Sequence, residues 1–135
     1  MTRLRHYDNL GTARFVTFSC FRRYPYLAVD RLVLPVIEQL QNLRESYGIS
    51  IHGYVIMPDH VHFVLSPPEG TRLGVVIGQL KARSSRVILS LLREENDIRM
   101  KIKMRDNGQA AVWQRRCYDH NCRTAETVVD CIVSD

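Results

Sequence analysis

Hydrophobic residues recur at every second position in some segments of this chain and at every third or fourth position in others, and together these spacings predict a mixed α+β domain. Residues 13–20 are rich in strand-forming side chains and alternate between apolar and polar near their centre, which favours a first β-strand. Residues 51–56 predict a second strand. A third runs from His60 or Val61 to Ser66, after a short turn at Pro58 and Asp59.

Helical spacing separates these strands. Residues 30–47 carry apolar side chains at helical intervals, with Asp30 as a candidate cap and Gly48 as a stop. Pro35 fits only in the first turn of such a helix, so we expect the helix to start near Leu34. The buried face of a long second helix is predicted by Leu73, Val76, Ile77, Leu80, Val87, Ile88 and Leu91, with Ser84 interrupting the stripe.

The remaining segments complete a known order of elements. Residues 93–110 are polar and charged and predict a loop, residues 111–118 predict a fourth strand, and a last helix is expected after Thr124. Strand-helix-strand-strand-helix-strand is the split βαβ, or ferredoxin-like, order. We therefore expect one α+β domain over residues 1–135, with an antiparallel sheet and its helices on one face.

Size and composition exclude several classes of protein. The chain has 135 residues, of which 45% are hydrophobic, and this suits one soluble domain that buries a core without disulfides. No apolar run is long enough to cross a membrane, and the first residues lack the apolar centre of a secretory signal. We expect a cytoplasmic protein.

The charge allows a polyanionic partner. The net charge is +5, and the basic residues form local clusters, among them Arg22–Arg23 and Arg115–Arg116. Phosphate backbones would account for such clusters. A solvated basic surface is the alternative.

His60 and His62 are the most informative residues. In a strand, residues two apart point to the same face, so both imidazoles would lie side by side while Val61 enters the core. The first and third strands are central neighbours in the predicted topology, which puts the pair in mid-sheet, on the face away from the helices. Two neutral imidazoles form half of a metal site. Alternatively, they are surface histidines that bind nothing.

The segment around this pair strongly resembles the signature of a known family. Residues 53–65, Gly-Tyr-Val-Ile-Met-Pro-Asp-His-Val-His-Phe-Val-Leu, resemble the motif of the HUH single-tyrosine transposases, where U is hydrophobic. REP-associated tyrosine transposases and their insertion-sequence relatives look like the nearest branch. Residues 11–18, 80–86, 113–120 and 121–128 resemble further blocks of the family, so the likeness covers nearly the whole chain.

The resemblance implies a ferredoxin-like enzyme that cuts and rejoins single-stranded DNA at hairpin-associated sites. His60 and His62 would hold one divalent ion, Mg²⁺ or Mn²⁺, at the scissile phosphate, and a tyrosine would attack to leave a 5′-phosphotyrosine. Because Mg²⁺ prefers oxygen ligands, a further ligand or the DNA phosphate is needed. The implied partners are single-stranded or hairpin DNA and no membrane, and the family allows a homodimer. The implied DNA-binding residues are Lys81, Arg83, Arg86, Arg115 and Arg116, with a solvated helix surface as the alternative for the first three.

The chain departs from the family at the nucleophile. The family's tyrosine falls about eleven residues after the arginine that matches Arg123, and that position is Ser134 here. No tyrosine follows Tyr118, and the family's Asn-Pro segment is absent. We therefore expect a C-terminally truncated copy of the domain. Tyr118 is the alternative nucleophile, although it belongs to the region of the fourth strand and not to the last helix. Two other functions stay open: a non-catalytic single-stranded nucleic-acid binding module, and a metal-dependent phosphodiesterase in which water replaces tyrosine.

Overall fold

The sheet follows the predicted strand order. The computed structural model describes residues 13–94, 98 and 100–122, and it describes residues 118–122 through their backbone. Four strands form the main sheet: β1 (Ala13–Ser19), β2 (Ser50–Met57), β3 (His60–Ser66) and a last strand at Tyr118–Cys122. Their order is β2, β3, β1, last strand, and all neighbours are antiparallel. The α+β, ferredoxin-like prediction is confirmed.

Two helices cover one face of this sheet. They are α1 (Asp30–Tyr47) and α2 (Leu73–Glu94). Val16 and Phe18 of β1, with Val61, Phe63 and Leu65 of β3, are buried beneath them, and the residues between these positions point to the other side. Among the residues that the structure describes, no helix has the length and apolar character needed to span a bilayer.

The first helix begins earlier than expected. It starts at Asp30 behind the cap residue Val29, so Pro35 lies inside the helix and the start predicted near Leu34 is wrong. Leu32, in the first turn, is fully buried, and its amide donates to the Val29 carbonyl at 2.9 Å. Burial of this leucine explains why the helix extends past the proline, which costs one backbone hydrogen bond.

The fourth strand lies later than predicted. It spans Tyr118–Cys122 instead of residues 111–118, and only a single bridge, between Cys20 and Trp113, joins the earlier residues to β1. The Lys81 ammonium explains why residues 114–116 do not continue the regular pairing with β1. It donates hydrogen bonds to the carbonyl oxygens of Gln114, Arg115 and Arg116, at 2.5, 3.3 and 3.5 Å. Regular pairing with β1 resumes only after these residues.

A small hairpin occupies part of the predicted loop. Lys103–Met104 (β4) pairs with Ala110–Ala111 (β5), and the last strand of the main sheet is therefore β6. The buried Tyr26 hydroxyl closes the hairpin base, since it accepts from the Lys103 amide at 2.8 Å and donates to the Ala111 carbonyl at 3.0 Å. Strands of two residues are too short to leave a periodic signal, so sequence analysis missed them.

Ser84 has a structural role that explains its place in the apolar stripe of α2. It is fully buried, accepts a hydrogen bond from Trp113 Nε1 at 3.0 Å, and donates to the Leu80 carbonyl at 2.8 Å. Trp113 in turn packs edge-on against Phe18, with ring centroids 4.8 Å apart. The serine thus ties the helix layer to the segment that leads into β6.

We expect Ser84→Ala to lower the free energy of unfolding by about 1–3 kcal/mol, because the Trp113 indole N–H loses its buried acceptor. Urea unfolding followed by tryptophan fluorescence measures this change. Ser85→Ala on the same helix is the control and should change stability by less than about 0.5 kcal/mol. Equal losses in the two variants would contradict the assigned role.

Candidate metal centre and nucleic-acid interface

The histidine pair lies on the sheet face opposite the helices, here called the histidine face. Val61 and Phe63 are fully buried on the helix side, so the alternation of β3 turns His60 and His62 the other way. The two imidazole centroids are 4.8 Å apart, and their planes are nearly perpendicular, at 89°. The predicted placement of the pair in mid-sheet agrees with these positions.

The turn before His60 is fixed by the backbone. The Cys20 amide donates to the Asp59 carbonyl at 2.8 Å, and the Leu27 amide donates to the Pro58 carbonyl at 2.9 Å. Cys20 directly follows β1, which is the neighbour of β3 in the sheet, and Leu27 lies further along, in a short 3-10 helix at Tyr26–Ala28. The beginning of β3 is therefore held by the end of β1.

Asp59 sets the proton position on His60. Its Oδ1 lies 2.7 Å from His60 Nδ1, and its Oδ2 accepts from Arg23 Nε at 2.9 Å. The hydrogen bond from His60, followed by the bond and charge of Arg23, lowers the pKa of the Asp59 carboxyl. An ionised carboxylate only accepts hydrogen bonds, so Nδ1 carries the proton and, in the neutral ring, the lone pair is on Nε2.

Thr17 orients the second imidazole. Thr17 is the cross-strand partner of His62, and its Oγ1 lies 2.6 Å from His62 Nδ1. The Phe15 ring stacks on the imidazole, with centroids 5.4 Å apart and planes within 5°. A hydroxyl can accept from Nδ1–H, and in that tautomer His62 also carries its lone pair on Nε2.

This donor set fits a divalent ion as two of its ligands. Metal-binding histidines usually donate their second ring N–H to a carboxylate or another oxygen, and Asp59 and Thr17 provide such oxygens. Asp59 lies on the Nδ1 side of His60, away from Nε2, so its carboxylate serves the ring and not the same ion. Within the described part of the chain, no three His, Cys, Asp or Glu side chains cluster as a complete metal site. A further protein ligand, water or a phosphate oxygen would complete the coordination of the ion.

A groove of about 440 Å³ runs beside the pair and is called the arginine groove. Its lining is Thr17, Phe18, Ser19, Arg105, Gln114, Arg115 and Arg116. Thr17 contacts His62, and Ser19 is the cross-strand partner of His60, so the groove shares two β1 residues with the surroundings of the histidines. Arg115 and Arg116 are exposed along it.

The other basic candidates lie elsewhere. Arg83 and Arg86 are exposed on α2, in the helix layer behind the sheet, and so are separated from the histidine face. Lys81 donates to backbone carbonyls, and its burial lowers its pKa. Of the five predicted DNA-binding residues, Arg115 and Arg116 line the groove together with Thr17 and Ser19, the cross-strand partners of His62 and His60.

Sequence analysis missed three residues of this centre. Asp59 directly precedes His60, and this adjacency was an available signal. Thr17 could have been found from the pairing of the first and third strands. Arg23 belongs to the basic Arg22–Arg23 cluster, but nothing in the sequence indicates its contact with Asp59, which spans 36 positions.

The nucleophile position lies outside the described residues. This applies to Ser134 and to the helix expected after Thr124. Tyr118 is described through its backbone, which pairs with Thr17 in the strand next to β3. Val55, His62, Thr17 and Tyr118 therefore form one row across the four strands.

Comparison with known proteins identifies the family. The sequence model of IS200-like transposases matches residues 13–128, and the chain therefore belongs to this family. A protein from Haemophilus influenzae described as a REP-associated tyrosine transposase is 29% identical over 80 residues. The alignment covers 58% of this chain and 43% of that relative, so the chain matches less than half of the relative's length.

Solved structures share the fold. One is a REP-associated tyrosine transposase bound to a REP hairpin, with a TM-score of 0.64 and 17% identity over 98% of this chain and 68% of that chain. Another is described as a transposase from Deinococcus radiodurans R1, with a TM-score of 0.65 and 17% identity over 96% of this chain and 92% of that chain. The likeness extends over almost the whole chain.

We expect Asp59→Asn to lower stability at neutral pH but not in acid. The lowered pKa means that the Asp59 carboxylate stabilises the fold above the ordinary aspartate pKa of about 4, and that this contribution disappears as pH falls through the lowered value. Chemical unfolding of both proteins from pH 7 to pH 3 should show the difference shrinking. Asp106→Asn is the control, because Asp106 is fully exposed and lies 3.5 Å from Arg22. A difference that grew in acid would refute this account.

Proposed function

We propose that this chain binds single-stranded DNA near a hairpin and provides the metal-binding half of a DNA strand-transfer site. The observation that supports this proposal most strongly is the pair of imidazoles whose Nδ1 atoms face Asp59 and Thr17, because Thr17 also lines an arginine-rich groove. Membership of the IS200-like transposases supports this reaction class. The hairpin complex of a structural neighbour supports the choice of DNA.

The two histidines would present Nε2 atoms to Mg²⁺ or Mn²⁺. Such an ion supplies a Lewis acid that polarises a phosphoryl oxygen and offsets its developing negative charge. His60 and His62 project from alternate positions of one central strand, so both lie on the same face of the sheet. Hydrogen bonds on the far side of each ring restrict its rotation and reduce the cost of ordering the site.

The arginine groove would hold the strand that passes the histidines. Arg115 and Arg116 are exposed beside Thr17 and Ser19, and guanidinium groups suit phosphate recognition. Arg105, which also lines the groove, is held by a 2.7 Å hydrogen bond to the Trp113 carbonyl and by its position 5.0 Å from the Phe21 ring centroid. Arg83 and Arg86 on the helix layer would contact DNA only beyond the groove, and Lys81 would shape the groove through the carbonyls of residues 114–116.

A labelled hairpin with a single-stranded extension, incubated with the protein and Mn²⁺, tests the reaction class under denaturing separation. A covalent protein–DNA adduct supports strand transfer, free cleaved ends indicate a hydrolase, and retention without cleavage indicates a binding module. We expect His60→Ala and His62→Ala each to reduce metal-dependent cleavage by more than about 100-fold, beyond the usual effect of groups that only orient a ligand. Unchanged cleavage in both variants would refute the metal assignment.

Two further variants locate the nucleophile if an adduct forms. Ser134→Ala removes the hydroxyl at the family's position, and Tyr118→Phe removes the phenol of the residue whose backbone pairs with Thr17. The variant that loses the adduct while keeping DNA affinity identifies the attacking residue.

Loss of one groove arginine should weaken binding to single-stranded DNA and reduce its salt dependence. For Arg115→Ala or Arg116→Ala, the slope of log affinity against log salt should fall by about 0.7, the value for one phosphate contact on a single strand. Fluorescence anisotropy at several salt concentrations measures this slope. Arg44→Ala on α1, which removes the same charge from an exposed position in the helix layer, is the control and should keep the wild-type slope. Equal slopes for all variants would remove the arginine groove from the DNA path.

A further inference from the structure

Arg23 contacts the histidine centre through Asp59. Its Nε donates to Asp59 Oδ2 at 2.9 Å, and its Nη1 donates to Ser19 Oγ at 3.2 Å. Ser19 is the cross-strand partner of His60, and His60 is bonded to the other oxygen of Asp59. These four residues form a closed ring of contacts around one imidazole.

Both oxygens of the Asp59 carboxylate are engaged in this ring. Oδ1 accepts from His60, and Oδ2 accepts from Arg23. A carboxylate held at one oxygen can still rotate about its side-chain torsions, whereas a second bond from a planar guanidinium fixes its plane. Arg23 Nη2 also lies 3.5 Å from His60 Nδ1, but the 2.7 Å bond between Nδ1 and Asp59 Oδ1 is much shorter, so Arg23 acts on the His60 ring mainly through the carboxylate.

The backbone at Arg23 is held in an unfavourable conformation. Arg22 and Arg23 have φ angles of 53° and 58°, in the left-handed region that non-glycine residues seldom adopt. The loop is fixed on both sides, since the Phe21 amide donates to the Val112 carbonyl and the Tyr24 amide donates to the Phe21 carbonyl. Strained residues of this kind concentrate at functional sites, where the surrounding structure maintains them.

We propose that Arg23 is a positioning residue that, through Asp59, keeps His60 in the Nδ1–H tautomer and aims Nε2 at the metal position. The proposal rests on the metal-binding role given to His60 above. Arg22 has no such role, because its guanidinium lies over the Phe21 ring and 3.5 Å from the exposed Asp106. The two adjacent arginines thus share a backbone conformation and differ in what their side chains hold.

This difference gives a matched pair of variants. Arg23→Gly and Arg22→Gly each place glycine at a left-handed position, where it fits without strain, so neither should damage the loop. We expect Arg23→Gly to shift His60 to a mixture of tautomers in long-range ¹H–¹⁵N NMR of the imidazole nitrogens. Mn²⁺ affinity, measured by electron paramagnetic resonance on the protein without DNA, should fall by roughly threefold to tenfold, at or below the lower end of the range for groups behind a metal ligand.

Arg22→Gly should retain the wild-type spectrum and Mn²⁺ affinity, and Arg23→Lys, which keeps a positive charge beside Asp59, should recover part of the affinity. The proposal is overturned if Arg23→Gly leaves both readouts unchanged, or if Arg22→Gly weakens Mn²⁺ binding equally. Both readouts are independent of DNA. Failure of the wild-type protein to cleave DNA, with the His60 tautomer intact, would count against the proposed function alone.

Discussion

One residue, Asp59, couples the fold of this domain to its candidate chemistry. Its backbone carbonyl accepts from Cys20 at the end of β1, and its carboxylate holds His60 at the beginning of β3. Strand pairing and imidazole orientation therefore share one anchor. Because β1 and β3 are the two central strands, an error in their register would also misplace Thr17 relative to His62.

The parts of the fold that sequence predicted well are those whose signal is local and long. The strand at residues 60–66 and both helices carry clear periodicity, because one face of each is buried against the same core. The displaced fourth strand and the early start of α1 depend instead on tertiary contacts. For the fourth strand, Lys81 donates hydrogen bonds to carbonyl oxygens 33 to 35 positions away. For α1, the burial of Leu32 outweighs the local effect of Pro35 on the start of the helix.

The candidate site divides in the same way. His60 and His62 belong to a compact motif that can be recognised from thirteen consecutive residues, whereas the groups that orient them come from β1 and the loop after it. Charge alone ranked the arginines poorly, since α2 and the segment at 115–116 look equally basic in one dimension. In the fold they separate, with Arg83 and Arg86 in the helix layer and Arg115 and Arg116 in the groove that Thr17 and Ser19 also line.

The Tyr26 hydroxyl affects where the sequence of this domain can vary. It bonds to both strands at the base of the small hairpin, while Asp106, Asn107, Gly108 and Gln109 at the tip are exposed. Substitutions and insertions at the tip therefore cost little folding free energy, because the backbone groups that need partners are satisfied below it. Arg105 follows β4 directly and lines the groove, so the surface next to the groove can vary while the sheet that carries the histidines stays constant.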